Sequence, residues 1–167
     1  MPFSLLPAWQ APAVTDVMPS FLQSQNIRLV MLDFDNTLVP YTAQHPTEPV
    51  LAWLESLQQA GLTVCIVSNS RKQRVPEFCS RYGLDCVTHA HKPFTGGICQ
   101  CLRKYGVDPS QAVIIGDQIF TDTLGGNCAG VTTILVKAIH NHNIWLKLRH
   151  AAEMPFIAIA KNRRITK

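Results

Sequence analysis

A chain of 167 residues, 47% apolar and 16% charged, has the length and composition of one globular domain with a full hydrophobic core. The formal charge of +4 conceals an asymmetry: residues 1–136 hold 8 Lys or Arg against 10 Asp or Glu, whereas residues 137–167 hold 7 against 1. With no run of 18 apolar residues and no basic lead or cleavage site at the N-terminus, neither a bilayer span nor a secretory leader is expected.

Residues 1–12 combine Phe3, Leu5, Leu6 and Trp9 with three prolines, so the segment is apolar without being a continuous helix, and it either packs on the domain or touches something outside. Helical spacing runs from about Val14 to Gln25. Leu29 to Leu32 then read as a buried strand ending where Asp33 and Asp35 begin. After the loop from Pro40 to Pro46, Thr47 can cap a helix with Pro49 in its first turn, a stripe of Val50, Leu51, Leu54 and Leu57, and Gly61 as its stop. Thr63–Val67 is a second strand, closed by Ser68, Asn69 and Ser70. A helix from about Lys72 to Tyr82, a weak strand near Cys86 to Thr88 and a helix from about Gly97 to Tyr105 follow. Ala112–Gly116 is a clear strand that delivers Asp117 and Asp122, a short helix ends near Gly130, and Thr132–Val136 is the fifth strand. Strands alternating with helices predict a parallel, doubly wound α/β sheet with right-handed crossovers.

In such a sheet the strand ends converge on one rim, where ligands bind. Asp33 with Asp35, Ser68 with Asn69, Lys92, and Asp117 with Asp122 all fall at that rim. Several carboxylates there repel one another unless a cation sits among them, and a hard dication with oxygen ligands is the natural resolution. Mg2+ is typically held by one or two carboxylates and a substrate phosphate, which fits Asp33 and Asp117. With Lys92 supplying charge and Ser68 a hydrogen bond, an Asp33 carboxylate can attack a phosphoryl group, and Asp35 can protonate the departing oxygen and then activate water. Each residue alone has a blander reading: a turn cap for Asp35, Asn36 or Thr37, a surface cation for Lys92, a turn hydroxyl for Ser68. Only the ordered set makes them functional. Gly125-Gly126-Asn127 reads as a packing device, and His89, His91, His140 and His142 as solvated. The six cysteines are expected as reduced thiols, with Cys65 as core filler and no partner pair for Cys99 and Cys101 at zinc spacing.

The DxDxT run at Asp33 to Thr37, Ser68, Lys92 before a proline and the GDxxxTD run from Gly116 to Asp122 resemble the four motifs of the haloacid dehalogenase (HAD) superfamily of phosphatases. More narrowly, residues 5 to 137 are similar to the YqeG-type phosphatases of subfamily IIIA, relatives of phosphatidylglycerophosphate phosphatases. Ser70 departs mildly from the Asn of many relatives. The resemblance implies a HAD-like Rossmannoid three-layer sandwich with a central sheet of about five strands: a single domain over 1–167, with a catalytic core at 26–137, an N-terminal apolar segment and helix at 1–25, and a basic segment at 138–167. It implies Asp33 as nucleophile and Asp35 as acid/base. Mg2+ would be held by Asp33, the Asp35 carbonyl and Asp117. Ser68, Asn69 and Lys92 would lie on the phosphate, with Thr37 and Asp122 in support.

HAD enzymes for small metabolites usually insert a cap domain after the first or second motif, and no cap fits either interval here. An open site calls for a substrate that is large, surface-bound or enclosed by another subunit. The expected substrate is a phosphomonoester carried by an anionic phospholipid, phosphatidylglycerophosphate, met by a cytoplasmic protein peripheral on the inner membrane face. Lys137, Lys147, Arg149, Lys161, Arg163, Arg164 and Lys167, with Trp145, Phe156, Ile157 and the N-terminal apolar residues, would make that contact. A basic tail without such a role weighs equally. No nucleic-acid motif is present. The alternatives are a phosphatase for a soluble sugar or nucleotide phosphate, enclosed by oligomerisation, and a phospho-ligand adaptor with little turnover.

Overall fold

The computed structural model describes residues 4–139, 154–159 and 165. In chain order its elements are β1 (Trp9–Ala11), α1 (Pro19–Ser24), β2 (Leu29–Leu32), α2 (Glu48–Gln59), β3 (Thr63–Val67), α3 (Arg74–Tyr82), β4 (Asp85–Val87), α4 (Gly96–Tyr105), β5 (Ala112–Gly116), α5 (Leu124–Ala129) and β6 (Thr132–Val136). All strands are parallel, in the order β1-β6-β5-β2-β3-β4.

Period-two alternation sorts each central strand between two cores. Val30, Leu32, Val64, Ile66, Val113 and Ile115 face one layer, against Trp53, Leu54 and Leu57 of α2 and Val75 and Phe78 of α3. Leu29, Met31, Cys65, Val67, Ala112 and Ile114 face the other, against Ile98, Cys101 and Leu102 of α4. Burial on both faces is why these strands are continuous apolar runs. On α2 the inward position belongs to Trp53, whose indole donates to Val17 O at 2.8 Å, while Leu51 is only half-buried. Gly126 of α5 permits that helix to lie close on the sheet, since a Cβ there would come within 2.5 Å of both Ile114 and Thr133 side chains.

Two expectations change. The sheet has six strands rather than about five, because Trp9–Ala11 pairs with β6 in the register Trp9↔Ile134 and forms an edge. The helix expected over 14–25 is interrupted: Val14–Asp16 is a 3₁₀ turn, and α1 starts at Pro19, whose ring suits the first turn of a helix. The N-terminal segment packs on the domain. Asn127 Nδ2 donates to Ser4 O at 2.8 Å and Leu6 O at 3.0 Å, and Trp9 sits edge-on to Phe21 at 5.3 Å.

Of the basic segment, residues 154–159 form a helical turn beside the same edge. The Gln10 amide donates to Ile157 O at 3.2 Å, Phe156 meets Phe120 at 6.5 Å, and Ile165 N donates to Gln10 O at 2.9 Å. Phe3, His140, His142, Trp145, Lys147, Arg149, Lys161, Arg163, Arg164 and Lys167 lie outside the described residues. Among the described residues no helix is long and apolar enough to cross a membrane.

Candidate active site

The strand order reverses between β2 and β5, and at such a switch the two following loops part and leave a crevice. Registers Leu32↔Ile115 and Leu32↔Ile66 put Asp33, the Gly116–Asp117 step and Ser68 at one level of the rim. After Asp33 the chain makes a tight turn, with Asn36 N bonded to Val39 O at 2.9 Å and Asn36 at a φ of 64°. That turn carries Thr37 back under the rim. Its hydroxyl lies 3.4 Å from Asp33 Oδ2 and 3.3 Å from Asp117 Oδ1, one proton shared between two acceptors. Residues 33–47 hold this turn and a loop and no cap domain.

Lys92 is buried, and its ammonium donates to Asp33 Oδ1 at 2.8 Å and to Asp122 Oδ1 at 2.6 Å. Burial opposes its charge, but Asp122 and Asp33 outweigh that and raise its pKa, so the lysine stays protonated. Asn69 fixes the lysine's main chain: Lys92 N donates to Asn69 Oδ1 at 2.7 Å, and Asn69 Nδ2 donates to Lys92 O at 2.8 Å. Asp122 reaches Lys92 from a π-helical turn, Ile119–Thr123, and its Oδ2 accepts from Gln118 N at 3.2 Å. Gly116 makes room for it, because a Cβ there would collide with the Asp122 carboxylate.

Carboxylate oxygens of Asp33, Asp117 and Asp122 lie within 4.8 Å of one another, and all three residues are buried. One lysine among three acids leaves the cluster negative. Burial pushes the Asp33 carboxyl up to about 6; Lys92 opposes the shift and Asp122 adds to it. All-oxygen donors in a negative, buried cluster fit a hard dication. Asp122 stands beside Asp33 and Asp117, with one carboxylate oxygen on Lys92 and the other on Gln118 N.

Asp35 lies further out, and its pKa is raised by burial against the opposing charges of Arg74, Lys72 and Lys92. Ser68 is buried, and its Oγ accepts from Ser70 N at 3.1 Å, which leaves its proton to donate. Asp33, Asp35, Ser68, Asn69 and Lys92 line one cavity of about 140 Å³, with Tyr41, Ser70, Gln118 and Thr121 completing it. Drug-sized ligands need roughly 300 Å³ or more. This cavity has room for a phosphoryl-sized group and is too small for a whole drug-sized molecule.

Sequence reasoning missed Arg74, which pairs with Asp35 at 3.5 Å, and the mouth residues Tyr41, Gln118 and Thr121. Gln118 and Thr121 lie inside the last motif run and could have been marked there, whereas Arg74 looked no different from its neighbours Arg71 and Lys72. His89 and His91 are exposed, as expected. All six cysteines are free thiols, and among the described residues only the acid trio is grouped tightly enough to hold a metal.

Comparison with known proteins agrees with this geometry. A family model described as HAD-hydrolase-like matches residues 89–147. The chain is 35% identical over 120 residues to the probable phosphatase YqeG of Bacillus subtilis strain 168, covering 72% of this chain and 70% of that protein. Its fold is similar to the cobalt-bound form of deoxy-D-mannose-octulosonate 8-phosphate phosphatase from Haemophilus influenzae, with a TM-score of 0.55 at 15% identity over 81% of this chain and 90% of that one. It is also similar to 3-deoxy-D-manno-octulosonate 8-phosphate phosphatase from Moraxella catarrhalis in complex with magnesium, phosphate and the KDO molecule, with a TM-score of 0.51 at 16% identity, over 87% and 98% of the two chains. By its extended likeness to YqeG and its HAD-like sheet, the chain belongs to the YqeG-type phosphatases of the haloacid dehalogenase superfamily.

Proposed function

We propose that this phosphatase is a Mg2+-dependent phosphomonoesterase that works through an aspartyl-phosphate on Asp33. The observation that carries the reading is the Asp33 carboxylate, ion-paired to a buried lysine at the base of a cavity that fits a phosphoryl group and little else. Asp33 attacks phosphorus while the ester oxygen departs and takes the Asp35 proton. Water then attacks the phosphoaspartate as Asp35 takes a proton back, releasing inorganic phosphate and regenerating Asp33. Lys92 and the Ser68 hydroxyl neutralise and orient the phosphoryl oxygens. Asn69 positions that lysine through its two hydrogen bonds with the Lys92 main chain, and from its place in the cavity lining we assign its second amide hydrogen to the phosphate. Asp33, the Asp35 carbonyl and Asp117 would hold Mg2+, with Asp122 beside them; when bound, the ion neutralises charge that develops on the phosphoryl oxygens.

The substrate we assign is phosphatidylglycerophosphate. In support, the cavity volume suits the headgroup phosphate alone, and among the described residues no cap domain follows the first or second motif. Tyr41 at the mouth is 46% exposed and Phe94, two residues past Lys92, is 76% exposed, a setting suited to apolar surroundings. The excess of Lys and Arg after residue 136 adds attraction to an anionic surface. The test is phosphate release by the full chain with Mg2+ from phosphatidylglycerophosphate in vesicles, measured beside soluble sugar and nucleotide phosphates. Preferential, Mg2+-dependent turnover of the lipid is expected. Equal or faster turnover of a soluble ester would replace the lipid assignment with a metabolite phosphatase. Tight phosphate-ester binding without release would replace it with an adaptor.

A further inference from the structure

The loop 40–43 follows the acid turn and contributes Tyr41 to the cavity mouth, yet it belongs to no strand or helix. Main-chain carbonyls in such a loop need donors from elsewhere. Ala43 N donates to Pro40 O at 3.1 Å within the loop, and one side chain adds donors to three of its carbonyls. Arg74, the first residue of α3, sends Nη2 to Pro40 O at 3.2 Å and to Ala43 O at 3.1 Å, and Nη1 to Tyr41 O at 3.3 Å. The same Nη1 lies 3.5 Å from Asp35 Oδ1. The guanidinium carbon is 4.9 Å from the centroid of the Phe34 ring, and that ring is fully buried edge-on to Phe78 at 5.1 Å. Its plane is thereby anchored to the core, with the donor fork turned toward the loop and the acid. A cation at the first position of a helix faces the positive end of the helix dipole, so helix stability does not account for this arginine. Arg71 and Lys72, just before it, are exposed.

We propose that Arg74 is a positioning residue: it holds loop 40–43 and the Asp35 carboxylate as one unit at the mouth of the phosphoryl site. The proposal rests on the assignment of Asp35 as acid/base. Proton donation demands an acid oxygen within hydrogen-bond reach of the departing oxygen, and a misplacement of about 1 Å costs on the order of 100-fold in rate. By engaging Oδ1 and the following loop together, Arg74 fixes where the acid stands.

The test compares Arg74→Gln, Arg74→Lys and Asp35→Asn on two substrates with Mg2+ present. An alkyl phosphomonoester needs its leaving oxygen protonated, whereas 4-nitrophenyl phosphate departs as a stable phenolate. Because both esters pass through the same phosphoaspartate, whose hydrolysis also uses Asp35, the comparison is made on kcat/KM, which reports departure of the leaving group. Arg74→Gln is expected to lower kcat/KM about 10- to 100-fold on the alkyl ester and less than about 3-fold on the aryl ester. Arg74→Lys should recover little, since an ammonium cannot reproduce the planar fork. In an Asp35→Asn background, Arg74→Gln should change alkyl-ester turnover by less than about 2-fold, because the two residues act as a unit. Hydrogen exchange of the amides of residues 41–43, read well below the melting temperature, should accelerate in Arg74→Gln. Equal losses of kcat/KM on both esters, or unchanged exchange in a folded Arg74→Gln protein, would overturn the proposal. Should Asp35→Asn itself lower kcat/KM equally on both esters, the acid assignment fails instead, and the exchange readout alone decides whether Arg74 holds the loop.

Discussion

The site has an inner and an outer half, and they balance charge differently. Inside, Lys92 joins Asp33 and Asp122 at 2.8 and 2.6 Å with side chains at most 9% exposed, and Asp117 adds a third acid. Outside, Arg74 faces Asp35 at 3.5 Å with side chains 21% and 16% exposed. The outer pair is one charge against one, partly screened by water. The inner cluster is three acids against one base in a poorly screened setting. Charge imbalance therefore belongs to the half that holds Asp33, the proposed nucleophile, and only that half calls for a dication. The outer half needs geometry, which the arginine fork supplies.

The largest effect should come from Asp33→Asn, which keeps the shape of the inner half while removing the nucleophile. Phosphate release should fall on the order of 10⁴-fold or more, with the circular dichroism spectrum unchanged. Turnover that survives would dissolve the distinction between the halves, because some other group would be taking the phosphoryl. Next, Lys92→Met leaves Asp33 and Asp122 buried without their cation. Urea unfolding of the metal-free variant at neutral pH should show a loss of about 3–5 kcal/mol, as for other broken buried pairs. A loss no larger than that of a surface change would mean the inner half is wetter than its burial implies.

The third prediction concerns pH. The Asp33 pKa is raised from 3.8 to about 6, so the folded state holds more protons than the unfolded state between those values. This contribution is fully present below pH 3.8 and is lost as pH rises through about 6. Metal-free protein should therefore lose stability across that window, and Mg2+ should raise the melting temperature above it far more than below it. An equal Mg2+ effect at both ends would place the ion away from Asp33. The smallest effect is expected in the outer half: Tyr41→Ala, at an exposed rim position, should alter stability by no more than about 0.5 kcal/mol while changing KM. A large stability loss there would show that the outer half is as tightly built as the inner one.

Much of the scaffold was legible because each central strand is an unbroken apolar run closed by polar groups, and the helices between them stop at Gly61, Gly83 and Gly106. β1 was not, because three residues between Pro7 and Pro12 carry no period of their own and become a strand only by pairing with β6. Pro19 did mark the break before α1, but the apolar spacing on either side hid it. Among the site residues, Asp33, Asp35, Ser68, Lys92, Asp117 and Asp122 were readable from their order along strand ends. The use of Asn69 on the Lys92 main chain, and the pairing of Arg74 with Asp35, depend on segments 23 and 39 residues apart in sequence, and no local pattern announces either.

The sequence by itself determined five of the six strands and the identity of the chemical groups, since apolar periodicity and the polar residues that end those strands are local properties. Only the tertiary structure decided how those groups share their charges. Ion pairing and hydrogen bonding depend on distances of a few ångströms between residues far apart in the chain, so the division of the rim into a lysine-linked acid cluster and an arginine-held acid exists only once the strands and loops have closed around it.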